Sequence, residues 1–177
     1  MATRNTRRLR YFAILLSIFV NNVSTQDRPM DKDIKWSPSD KRFEIIVPQR
    51  LEVVETDKLR DDQHIIFGHN KLYATSQGEF SFGIYELELA SRGMKRTLDE
   101  KFNGLEFLIG GEDLDFAEIP LKINGRDARQ VTFANSKGLM VDGGDRIYVL
   151  VMLALENPKD LESEAAKRFF SSFKLLK

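Results

Sequence analysis

His64 and His69 are the only histidines in the sequence, and Asp61 and Asp62 precede them, so four groups able to bind a divalent cation fall within nine residues. Asp62, His64 and His69 are the candidate metal ligands. On a strand, residues five apart point to opposite faces, so only a loop can bring the two imidazoles together. The plainer reading is a pair of ordinary histidines near a strand edge, and the sequence calls for no cofactor. The same histidines are the bases available to a small hydrolase. No Gly-x-Ser-x-Gly turn is present to present a nucleophile. Ser171 and Ser172 sit in an apolar final helix with no base near them in sequence.

Two acidic stretches invite a calcium reading. Gly110-Gly111-Glu112-Asp113-Leu114-Asp115, with Glu118 beyond it, lacks the alternate ligands, central glycine and distal bidentate Glu of an EF-hand loop. It reads as a solvated helix exit. Asp142-Gly143-Gly144-Asp145 reads as a turn. The absence of cysteine removes disulfides, thiolate metal sites, cysteine nucleophiles and a lipid-bearing cysteine.

These residues need elements to hold them. Phe43–Val47 is a β-branched run stopped by Pro48, hence a strand. Leu51–Glu55 is a weaker strand candidate, and Thr56–Gln63 a loop. Lys71–Thr75 and Glu79–Leu89 flank Ser76-Gln77-Gly78 and should pair as a hairpin. Phe80, Phe82 and Ile84 share one phase and Tyr85, Leu87 and Leu89 the other, which predicts a bulge near Gly83. Thr97-Leu98-Asp99-Glu100 is a capping box opening a helix that Gly110-Gly111 ends. Ile119–Ile123, the turn Asn124-Gly125 and Ala128–Ala134 make a second hairpin, with Pro120 placing its first strand at an edge.

Ile147–Leu155 is nine residues without a charge, which predicts a central strand covered on both faces. Asn157-Pro158 then starts a final helix whose buried stripe is Leu161, Ala165, Phe169 and Phe173, and Phe173–Leu176 can close as a short strand. Strand hairpins with helices inserted between them define an antiparallel α+β class, a sheet flanked by helices.

The amino end is different in kind. Arg4, Arg7, Arg8 and Arg10 precede the apolar run Tyr11–Val20, after which the chain turns small and polar. This is the layout of a signal peptide over residues 1–25, followed by a linker over 26–40 and one domain over 41–177. Ten apolar residues are too few to span a bilayer, for which about 20 are needed. No Ala-x-Ala cleavage pattern follows, so an uncleaved, anchored form stays open. Trp36, alone in the polar linker, is expected to tuck against the domain.

Hydrophobic residues make up 42% of the chain, enough for a core. Without the leader, 23 basic residues face 27 acidic ones, a net charge of −4. Such a domain lacks the positive field that nucleic acid requires.

Several segments together resemble the PsbP-like superfamily, which includes PsbP and the Mog-type proteins. They are the strand ending at proline (Phe43–Pro48), the hairpin around Gly78, Leu121–Phe133, the apolar strand Arg146–Leu155, and the closing Ala165–Leu175 with its Phe-x-x-Ser-Phe. The resemblance implies an α/β/α sandwich and a non-enzymatic binding or assembly role, and it carries no functional residue onto this chain. The resulting expectation is an extracytoplasmic module, periplasmic or secreted, that engages a protein or a cell-envelope component. The alternatives are a small metal-dependent or Ser/His hydrolase centred on His64 and His69, and a carrier of a small ligand.

Overall fold

The computed structural model describes residues 33–54, 67–77, 80–89, 117–133, 136–154 and 161–176. Its elements are strands β1 (Ile34–Trp36), β2 (Phe43–Val47), β3 (Glu52–Val54), β4 (Phe67–Gln77), β5 (Phe80–Leu89), β6 (Ala117–Ile123), β7 (Arg126–Phe133), β8 (Ser136–Asp142) and β9 (Arg146–Ala154). Helix α1 (Glu164–Ser171) and strand β10 (Lys174–Leu175) close the chain.

Seven strands form one sheet in the order β3-β4-β5-β9-β8-β7-β6, and β2 pairs with β1 and β10 in a second sheet of three. All pairs are antiparallel. The fold is thus mixed α/β and dominated by sheet. The described residues contain one helix, α1, so a sheet flanked by helices is wider than what is seen; the capping box at Thr97 and its helix lie outside the described residues.

Strand β9, free of charge after its first residue Arg146, sits fourth of seven, as its composition requires. Its residues Tyr148, Leu150 and Met152 join Tyr73, Phe82, Ile84, Leu139 and Val141 in the main core. Phe43, Ile45 and Val47 of β2 and Ala166 and Phe169 of α1 close that core from the other side. The small sheet and α1 therefore cover one face of the large sheet. Leu72, Leu87, Met140, Ile147 and Val149, on the opposite face, are buried too.

Burial of both faces corrects the bulge expected at Gly83. β5 pairs with β9 without interruption from Phe80↔Ala154 to Glu88↔Arg146. Both of its phases are apolar because each faces a buried layer, so no register slip is needed. The irregularity lies in β4, where Phe67 pairs with Leu89 and Asn70 with Leu87. Two residues, Gly68 and His69, there oppose Glu88 alone, which is a β-bulge.

The local turn signals hold. Asn124 (φ 51°) and Gly125 (φ 79°) both lie in the left-handed region that a two-residue hairpin turn demands, and only small or amide residues take it cheaply. That turn makes Ile123 and Arg126 a hydrogen-bonded pair, and alternation then leaves Pro120, opposite Arg129, in a position that donates nothing to the ladder. Pro120 is thereby accommodated on β6, the outermost strand.

Other boundaries moved. β1 falls inside the stretch expected to be linker; it gains its strand form by pairing Ile34 with Val47 and Trp36 with Ile45, partners that its own polar neighbours do not reveal. Trp36 packs on Tyr73 and Phe43 with ring centroids 5.1 and 5.9 Å away. Helix α1 is capped by Ser163, whose side chain accepts from the Ala166 amide; the start expected at Asn157-Pro158 lies outside the described residues. The last short strand forms as β10.

Candidate functional site

Strand β5 carries Glu86 in phase with Phe82 and Ile84, so alternation drives a carboxylate into the main core, where the residue is 1% exposed. An ionised group in that position must be matched. Arg42 Nη1 and Arg146 Nη1 both donate to Glu86 Oε1, at 2.6 and 2.7 Å. The Tyr73 hydroxyl donates to Oε2 at 3.3 Å.

Each partner is delivered by a separate piece of backbone. Arg146 opens β9 and lies opposite Glu88, two residues along β5 from Glu86 and on the same face. Tyr73 lies on β4, facing the same core layer. Arg42 comes from the loop before β2, where the Lys41 amide donates to the Pro38 carbonyl at 2.9 Å and Lys41 itself takes φ 50°. This turn swings Arg42 toward the large sheet while β2 continues in the small one.

A second ring of charge surrounds the first. Arg42 Nε meets Asp40 Oδ2 at 3.1 Å, with Lys71 Nζ 3.8 Å from the same oxygen. Arg146 also reaches Glu88 and Asp145 at 3.8 and 3.7 Å. Asp40 Oδ1 is buried and accepts no hydrogen bond from the described residues.

The cluster shifts its neighbours' proton affinities. Burial opposes the charge of Arg42, but the Glu86 carboxylate, by charge and hydrogen bond, and Asp40 outweigh it and raise the guanidinium pKa. Burial, then the adjacent Glu86 charge, pushes the Tyr148 phenol up to about 12, with Arg146 and Arg42 partly offsetting the rise. The same two causes, burial first, raise the Tyr73 phenol. Both tyrosines stay protonated at neutral pH.

Such an arrangement has little to offer a substrate. One oxygen of Glu86 is shared by two guanidinium groups and the other receives a phenol, so the carboxylate is not a free base. What it does is mechanical. It ties the loop entering the small sheet to two adjacent strands of the large one.

The residues singled out by sequence fall elsewhere. Asp62 and His64 lie outside the described residues, as does the stretch from Gly110 to Asp115. The His69 backbone is in β4 at the bulge. Among the described residues, no group of three or more acidic or histidine side chains is placed to hold a metal ion. Asp142 Oδ1 accepts from the Gly144 amide at 2.9 Å, the turn role expected of it. Ser172, weighed above as a nucleophile, ends α1 and accepts from the Ile46 amide at 2.9 Å, pinning the helix to β2. Sequence reasoning missed Glu86, although a charge in phase with Phe82 and Ile84 was its visible sign.

Two surface features remain. Ile119 on β6 is 54% exposed, while Leu121 and Ile123, on the same face of that strand, pack against the core. Among the described residues no helix is long and apolar enough to cross a membrane.

No protein-family model and no curated protein matches the chain. Its architecture, however, is similar to the solution structure of cyanobacterial PsbP (CyanoP) from Synechocystis sp. PCC 6803, with a TM-score of 0.55. The likeness covers 88% of this chain and 99% of that one at 10% sequence identity. The two chains share how strands and helix are arranged and little of their side-chain detail, and the fold of this protein is PsbP-like.

Proposed function

We propose that this chain is an exported, non-enzymatic binding or assembly module, held outside the cytoplasm, whose outer strand β6 meets a protein or cell-envelope component. The observation that carries the reading is the row Ile123, Leu121 and Ile119, which begins packed against the core and ends exposed at Ile119 on the edge strand of the large sheet. Its aliphatic side chains, rather than its backbone, form the contact. Pro120 removes the middle donor from the outward edge, which weakens pairing with a further strand. The PsbP-like fold and the Arg-rich leader ahead of Tyr11–Val20 support the reading.

Photo-cross-linking tests it. A photoreactive residue at position 119 should give a discrete adduct in cells, and the same residue at position 167, on the exposed side of α1, should not. Equal labelling from both positions, or none from 119, would remove β6 as the contact.

A second reading rests on one observation, the backbone bulge at Gly68 and His69, since bulges are over-represented next to active sites. It is a metal-dependent hydrolase built on Asp62, His64 and His69. Replacing both histidines by Ala would separate the two: bound zinc lost from a still-folded protein favours the hydrolase, and zinc binding absent from the parent chain eliminates it.

A further inference from the structure

We draw no further inference here: the strongest candidate, the outer edge of β6 with Ile119 exposed beside Pro120, belongs to the surface already described, and nothing in the structure shows what covers it.

Discussion

Glu86 has no room for error, because a carboxylate held among Phe82, Ile84 and Tyr148 is stable only while its two guanidinium partners stay. Breaking a buried pair by removing one partner costs about 3–5 kcal/mol. Glu86→Gln should approach that range, since it strands two cations. Arg146→Ala should cost more than Arg42→Ala, because the Arg42 side chain is 32% exposed against 14% for Arg146. Urea titration of the three variants would give that order, and equal midpoints for all would show the cluster to be ornamental. The alkaline limb of stability belongs to the same site. Burial and the Glu86 charge push the folded Tyr148 phenol up to about 12 from its ordinary 10.0, so the folded state holds its proton more tightly than the unfolded chain. Its contribution is complete below pH 10 and is lost as pH rises toward 12. Tyr148→Phe should flatten the fall in denaturation midpoint across that window; an unchanged slope would contradict the shift. Of this site, the phase of Glu86 was readable in the sequence. Its partners were not, since Arg42 and Arg146 lie 44 and 60 residues away and only the fold brings them in.

Elements tell a complementary story. Turns are written locally, and the hairpins at Asn124-Gly125 and Asp142–Asp145 were legible because their residues satisfy a backbone demand on the spot. Strand β8 was missed: its apolar stretch is only Leu139-Met140-Val141 behind Gly138, and it is made a strand by neighbours on both sides. Gly138 has its own reason, as a Cβ there would stand 2.8 Å from Val131 Cγ2 across the pair. Strand β5 shows the reverse error, because alternation in both phases signalled burial on two faces rather than a bulge. Two variants probe this scale. Ser172→Ala takes the acceptor from the Ile46 amide and should cost about 1–3 kcal/mol, the price of an unmet donor, seen as a lower thermal midpoint. Pro120→Val restores a donor to the outer edge of β6 and should increase self-association in light scattering; a strictly monomeric variant would show that Pro120 does not guard that edge.

For the whole molecule, a small sheet and a helix lie over one face of a seven-stranded sheet, locked across the join by Glu86 and by the Ser172 tie between α1 and β2. Fold class was the most legible property, since hairpin grammar and the charge-free run from Ile147 onward suffice to specify an antiparallel sheet with β9 at its centre. Function was the least legible, because the proposed role rests on a surface and a compartment that no short residue pattern specifies. Compartment is therefore the claim on which the rest depends, and it has one direct readout. Cells expressing the untagged chain are fractionated, the protein is recovered from each fraction, and its intact mass and amino-terminal residue are determined. The account expects the protein in the extracytoplasmic or membrane fraction, either trimmed after the Tyr11–Val20 segment or retained by it. A full-length chain found in the cytosol, beginning at its original amino end, would contradict it.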